Sequence, residues 1–467
     1  AIYGDKIFVG IIDGRLEALD AATGEVVWSE VTVDQSKPYT ITGAPRIADG
    51  KVLIGNGGAE LGTRGYMTAY NPDNGEIEWR FWVVPGNPAE GFENADMEAA
   101  AATWAGDWWS EGGGGNPWDS IIYDPELRLV YVGTGNGSPW SHEHRSDGFG
   151  DNLYLSSIVA LDVDDGSVVW HYQTTPGDNF DYTAVQPMMV TEIAINGLPR
   201  KVVMQAPKNG FFYVINRENG ELISAENFTE VSWASHIDLT TGRPVELPGV
   251  RYETEAIQLA PGPIGAHSWH AMSYNPQTGL VYIPTIHTST IYGDAGVDIE
   301  GFERGQYRLS TGTNTAGGGS TREDTAATLQ AWDPIKQEQV WEVLADSTWN
   351  AGTLTTASNL LFQGRADGHL IAYDAVSGDV LWDYDLGLGI SAPPITYAID
   401  GKQYFALLVG WGGSMAALGG QGSANLGWSY GAQERRLVAF SLDGSTVLPR
   451  QAPPLIPQPL ASSDFVV

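Results

Sequence analysis

The sequence predicts an all-β fold, a β-propeller of four-stranded antiparallel blades, and three observations predict it. One hairpin pattern recurs along the chain, its copies fall at the spacing of propeller blades, and the composition favours short strands joined by tight turns. In the pattern an apolar strand runs through Ala to Asp or Asn, a turn containing Gly follows, and Trp comes four residues after the Gly. It occurs as LEALDAATGEVVW ending at Trp28, MTAYNPDNGEIEW at Trp79, IVALDVDDGSVVW at Trp170 and LIAYDAVSGDVLW at Trp382. YVINRENGELIS, LQAWDPIKQEQVW and LVAFSLDGSTVLP are weaker copies, and SYNPQTGLVYIP and IYDPELRLVYVG are related hairpins without the Trp.

Each copy reads as a β-hairpin: Asp or Asn opens the turn, Gly takes the positive-φ position, and the next strand begins. The Trp is expected to pack between neighbouring units. Copies lie about 40 to 55 residues apart, or roughly twice that where one has eroded, which is the period of a four-stranded blade. About seven blades are recognisable on this basis. Composition agrees: 58 Gly and 26 Pro imply many turns, and 17 Trp among 467 residues suit a repeated docking role. Helical content should be low.

Charge and cysteine content exclude several functions. With 24 Lys and Arg against 57 Asp and Glu, the net charge is −33, which repels nucleic acid phosphates. Such a surface favours solubility in salt or a basic protein partner. No cysteine is present, so the chain holds no disulfide, thiolate zinc site, cysteine nucleophile or C-x-x-C-H haem attachment. No apolar run reaches the roughly 18 residues of a membrane-crossing helix. The first residues, AIYGDKIFVG, read as a strand and not as a signal peptide.

The Ala-x-Asp-x-x-x-Gly-x-x-x-Trp repeat resembles the tryptophan-docking motif of the eight-bladed dehydrogenases that use pyrroloquinoline quinone (PQQ). Non-enzymatic outer-membrane assembly lipoproteins share that repeat, so the intervening segments carry more weight. ITGAPRIADGKVLIGNGGAELGTRGY, GTGNGSPW, TTPGDNFDYTAVQP, APKNGFFYVINRENG, GPIGAHSWHAMSYNPQTGLVYIP and WNAGTLTT are similar to the quinohaemoprotein and methanol/ethanol dehydrogenase branches. The similarity covers essentially the whole chain. It implies an eight-bladed propeller over residues 1–448, a single domain whose first blade is short of residues, and a Pro-rich tail or linker at 449–467. It also implies an oxidoreductase that takes alcohols to aldehydes or ketones by hydride transfer to Ca²⁺-bound PQQ. Electrons then pass to a cytochrome c-like acceptor, and the family works in the periplasm.

The resemblance carries over residue by residue. Glu60, Asn136 and Asp181 match the family's calcium ligands, and hard oxygen donors suit that ion. Lanthanide-dependent relatives have a further Asp two residues after the catalytic one; Thr183 stands there, which favours calcium. Asp181 also matches the catalytic base that accepts the substrate hydroxyl proton. Lys208 matches the basic residue that bonds the quinone oxygens and stabilises negative charge developing on them. Trp118 matches the indole floor beneath the cofactor ring. Thr42 and the backbone of Gly57, Gly58 and Ala59 match positions lining the cofactor, and Ser268 and Trp269 match positions over its far side. Two positions depart from the family pattern: Asn116 stands where Thr is usual, and Ser268 where Asn is usual. Both stay polar, which points to a retuned site.

Other signals carry less. The GGGG run at 112–115 lacks the Gly-Lys-Ser/Thr of a phosphate loop. His267 and His270 read as structural or entrance-lining residues. His142, Glu143 and His144 read as a polar loop, and Asp178 is a nearby carboxylate out of register with the base. In the family about a hundred residues precede the stretch that the first residues resemble, and a similar Pro-rich linker leads to a cytochrome domain, so both ends suggest a cut. Two other functions share the scaffold: a non-catalytic repeat propeller that binds proteins, and a dehydrogenase of polymeric alcohols or sugars.

Overall fold

The computed structural model describes residues 1–252, 254–294, 297, 305, 313–410 and 435–449. They form two compact units, Ala1–Trp269 with Thr288–Thr321, and His270–His287 with Arg322–Val467. The Pro-rich stretch at 450–467 lies outside the described residues. Antiparallel sheets dominate, as the repeat predicts.

The first unit has four four-stranded sheets in simple meander order. The first comprises Ile2–Tyr3, Lys6–Gly10, Arg15–Asp20 and Val26–Val31; the second Arg46–Ala48, Lys51–Gly55, Tyr66–Tyr70 and Ile77–Trp82. The third comprises Ile121–Asp124, Leu129–Gly133, Ser157–Asp162 and Val168–Gln173; the fourth Met188–Ile195, Leu198–Gln205, Phe211–Asn216 and Leu222–Asn227. A three-stranded sheet of Ile257–Leu259, Thr288–Gly293 and Asn314–Ser320 and two short ribbons complete it. The second unit has two four-stranded meanders, beginning at Ser273 and Thr353, and a three-stranded sheet of Ile395–Ile399, Lys402–Val409 and Arg436–Phe440. Two short α-helices are described, α1 (Ala95–Ala101) and α2 (His142–Ser146).

The predicted hairpins form, with a shared local geometry. In the first, Asp20 Oδ1 accepts from the Ala22 and Thr23 amides at 2.9 and 2.7 Å, and Gly24 turns at φ 75°. The acceptor two and three residues back fixes the turn, and the missing Cβ permits the positive φ. The copy with no turn glycine, LQAWDPIKQEQVW, places Gln337 at φ 57° instead. All five copies that carry the Trp shift register just after the motif Ala, at Ala18, Ala69, Ala160, Ala331 and Ala372. Such a bulge increases the local twist. LVAFSLDGSTVLP differs from the expectation: after Arg436–Phe440 no partner strand forms within residues 441–449.

Four of the motif tryptophans dock on the turn of the next sheet, as expected, whereas Trp382 stacks on Tyr384 of its own strand and meets Phe440 edge-on. Trp28 donates its indole N–H to Pro72 O at 3.0 Å and lies over Gly75 in the second sheet's turn. Trp79 does the same to Val163 O and Gly166, and Trp170 to Arg217 O and Gly220. Within the second unit Trp341 donates to Ala375 O over Gly378. A Cβ on Gly166 would stand 2.4 Å from the Trp79 ring, so the indole is in contact with bare backbone.

Gly166 also turns at φ 73°. A Gly166→Ala variant is therefore expected to lose about 1–3 kcal/mol in urea unfolding. A loss no larger than that of alanine at Gly197, whose Cβ would meet nothing within 4 Å at a similar φ, would show that the indole contact adds nothing.

Candidate active site

The first unit gathers the candidate residues where strands end in close backbone approaches. A Cβ on Gly55 would stand 1.9 Å from Pro117 O, so only glycine lets the second sheet meet the segment that carries Trp118. Asn116 is fully buried there, and its amide donates to Gly57 O at 3.2 Å and Thr63 Oγ1 at 2.9 Å. The residue that departs from the family pattern thus ties the Trp118 segment to the glycine turn. A backbone bridge joins Thr40 to Gly57, and exposed Thr42 has its hydroxyl 3.8 Å from where a Gly57 Cβ would be. Ala59–Leu61 then form a single 3-10 turn that presents Glu60.

Glu60 and Asn136 meet directly, Asn136 Nδ2 donating to Glu60 Oε1 at 3.0 Å. Asp181 and Lys208 also meet, Lys208 Nζ donating to Asp181 Oδ2 at 2.8 Å with both side chains nine-tenths buried. Lys208 is held from behind by Gly265, where a Cβ would stand 2.3 Å from Lys208 Cγ. Asp181 is in the left-handed region at φ 65°, which aspartate adopts more readily than most residues other than glycine. Burial raises the Asp181 pKa well above the usual carboxylate range; Lys208 opposes the rise, and the Glu60 charge adds to it. The two pairs are therefore close enough to act on each other.

Trp118 and Trp269 meet edge-on, with ring centroids 6.3 Å apart and planes at 71°. They do not form a parallel-walled slot. Ser268 is buried beside Trp269.

The donor chemistry fits a hard cation. Two carboxylates and a side-chain amide supply oxygen, and one lysine stands against two acids. In this geometry the Asn136 amide nitrogen faces Glu60 and Gly137 O, so sharing a cation with Glu60 requires the amide to turn over, at the cost of both hydrogen bonds. Among the described residues no group of three or more His, Asp or Glu is gathered closely enough to hold a metal ion.

Comparison with known proteins decides the family. Residues 2–235 and 311–405 match the model of the PQQ glucose/ethanol/alcohol dehydrogenase β-propeller domain. The chain belongs to the PQQ-dependent alcohol dehydrogenase family. It is 52% identical to quinohemoprotein alcohol dehydrogenase ADH IIB of Pseudomonas putida, covering 99% of this chain and 67% of that protein. It is 46% identical to the 1-butanol dehydrogenase (cytochrome c) of Thauera butanivorans, over 88% of this chain and 61% of that one. The solved structure of quinohemoprotein alcohol dehydrogenase ADHIIG from Pseudomonas putida HK5 superposes with a TM-score of 0.91 at 46% identity, covering 99% of this chain and 69% of that one. The chain thus spans roughly two thirds of the length of these family members.

Some surroundings of the site were not legible beforehand. The segment read as a polar loop is helix α2, capped by Ser141, and its Arg145 is buried. The Arg145 guanidinium donates to Pro139 O, Trp140 O and Asp178 O at 2.5, 2.8 and 2.7 Å, and to Asn152 Oδ1 at 3.0 Å. Burial lowers its pKa to about 10. His142 is pushed down to about 3 by burial and by Arg145 and Arg251, so it stays neutral and accepts from Arg251. No spacing in SHEHRSD marks these as interior groups. His267 bonds Ala206 O at 2.8 Å, and His270 packs against Trp349, which fits the structural reading of both.

Asp119, next to Trp118, is a further buried acid. Burial raises its pKa to about 7, partly opposed by Arg46, and its Oδ2 has no hydrogen-bond partner among the described residues. Because the folded pKa lies above the unfolded value, the unfolded chain holds fewer protons between pH 4 and 7. Its stabilising effect is full below about pH 4 and is lost as pH rises to about 7. The wild-type melting temperature should fall more between pH 4.5 and 7 than that of Asp119→Asn. Parallel curves would show that Asp119 ionises normally.

Proposed function

We propose that this chain carries the quinone-binding face of an alcohol dehydrogenase, with Asp181 as base, Lys208 as electrophilic partner, and Glu60, Asn136 and Asp181 as Ca²⁺ ligands. The observation that carries the reading is the buried Asp181–Lys208 pair at 2.8 Å, electrostatically coupled to Glu60, which itself bonds Asn136. Four residues of the required types, from four separate segments, converge in a chain of this family. A scaffold that only binds proteins has no use for a buried acid–lysine pair. When bound, PQQ accepts the hydride and Ca²⁺ polarises the carbonyl that receives it.

The chain's own residues do the rest. Asp181 accepts the hydroxyl proton of the alcohol. Lys208 aims a positive charge at the oxygen where negative charge develops, inside a buried setting that strengthens the attraction. Trp118 would support the ring, and Trp269, Ser268, Thr42, Gly57, Gly58 and Ala59 would line the site around it. Thr183 at the position two residues beyond Asp181 supports calcium over a lanthanide.

The substrate is an alcohol and the acceptor a cytochrome c, a reading supported by the Thauera butanivorans relative's name and by an acidic surface that would attract a basic partner. The single-domain propeller over 1–448, its eight blades and a periplasmic location belong to the same reading, supported by the family match.

Isothermal titration should show PQQ binding that depends on Ca²⁺ and weakens at least about tenfold in Glu60→Ala and Asp181→Ala. With an alcohol and an artificial acceptor, Lys208→Met should lower kcat by about 10²–10³. Absence of Ca²⁺-dependent binding by the unaltered chain would overturn the proposal.

A further inference from the structure

The segment Asp178–Tyr182 is held by more contacts than a surface turn needs. Arg145 Nη2 donates to Asp178 O at 2.7 Å, and Asn179 Nδ2 to Arg251 O at 2.9 Å. The Tyr252 hydroxyl donates to Asn179 O, and Tyr292 Oη to Phe180 O at 3.0 Å. Tyr182 Oη donates to Pro261 O at 2.6 Å. Every residue of the segment is thereby fixed to a neighbouring element, Asp181 through Lys208.

Asp178 closes the segment on itself. Its Oδ1 accepts from the Phe180 amide at 3.2 Å and from the Tyr182 amide at 3.1 Å, so that one oxygen spans the backbone of Phe180 and Asp181. The side chain is fully buried, and its Oδ2 has no hydrogen-bond partner among the described residues. The hairpin aspartates behave differently: Asp20 accepts from residues two and three ahead, at the exposed surface. A bond from two and four residues ahead brackets the residue between them. That residue, Asp181, is the one held at φ 65° with its carboxylate 2.8 Å from Lys208.

We propose that Asp178 is a positioning residue for Asp181. By tying the amides of residues 180 and 182 to one oxygen, it maintains the left-handed backbone at residue 181 and aims that carboxylate at Lys208 and the cation site. Relaxation of residue 181 to an ordinary backbone conformation would swing the carboxylate away from both. The inference rests on the proposed quinone site and adds to it a residue that touches neither cofactor nor substrate. The action runs through hydrogen-bond acceptance alone, so an amide at residue 178 should replace the carboxylate.

The test compares D178A, which removes the acceptor, with D178N, which keeps it. D178A should weaken Ca²⁺-dependent PQQ binding about tenfold by isothermal titration. It should lower kcat about a hundredfold with little change in the alcohol KM, because a misplaced base costs rate and not alcohol affinity. D178N should stay within about threefold of the unaltered chain in both measurements, as expected when only the acceptor matters. Circular dichroism melting tells whether each variant is folded, and D178L, which fills the same space without an acceptor, stands in for D178A should the latter unfold. Binding and turnover within twofold of the unaltered chain in a folded D178A or D178L would overturn the inference. So would a D178N variant as impaired as D178A, or unfolding of both D178A and D178L, which would make the bonds a requirement of folding. If the unaltered chain binds no PQQ, the proposed function fails and the inference falls with it; if it binds and D178A is unaffected, only the inference fails.

Discussion

An indole laid across bare backbone is the interaction on which the other features depend. A flat sheet has two apolar faces and, in this chain, few helices to cover them, so each sheet must bury its face against the next. Trp28, Trp79, Trp170 and Trp341 do this by covering the turn glycine of the following hairpin while donating N–H to a carbonyl in or beside that turn. The contact needs three things at once: a large flat side chain, a turn residue without a Cβ, and a free carbonyl. That triple requirement explains why Asp, Gly and Trp recur at fixed spacing, while the strand residues between them vary freely among apolar types.

Once the sheets are docked, their strand ends and connecting loops converge, and the site is built from those loops. Close backbone approaches do the positioning. Glycine at residue 55 admits the Pro117 carbonyl, and glycine at residue 265 admits the stem of Lys208. Two buried cations are given partners: Lys208 faces Asp181, and Arg145 donates to three carbonyls and the Asn152 amide oxygen. Burial and the Glu60 charge raise the proton affinity of Asp181, and Lys208 opposes the rise. Stability alone would be served better by apolar groups in these places.

Much of the fold was legible because its signal is local. The hairpins at 16–28, 67–79, 158–170, 329–341 and 370–382 all form, since turn chemistry and strand alternation act over a dozen residues. Where one element of the signal is missing, the hairpin is less certain: Gln337 still adopts the positive φ, but after Arg436–Phe440 the expected second strand is not made. Segment SHEHRSD misled for the opposite reason. Its residues are polar, and only the neighbours supplied by distant loops make a buried helix of them.

By itself the sequence determined the all-β class, the hairpin register and the residue types of the site, because turns, alternation and motif segments are properties of contiguous residues. Only the tertiary structure decided that Asn136 faces Glu60, that Asp181 pairs with Lys208 at a left-handed backbone position, and that Trp118 and Trp269 meet edge-on. It alone decided that Arg145, Asp178 and Asp119 are interior. Each of these depends on separations of many residues along the chain being closed to a few ångströms, and on the loss of water that follows. Proton affinity, orientation and reach are set by that enclosure, and no single segment contains it.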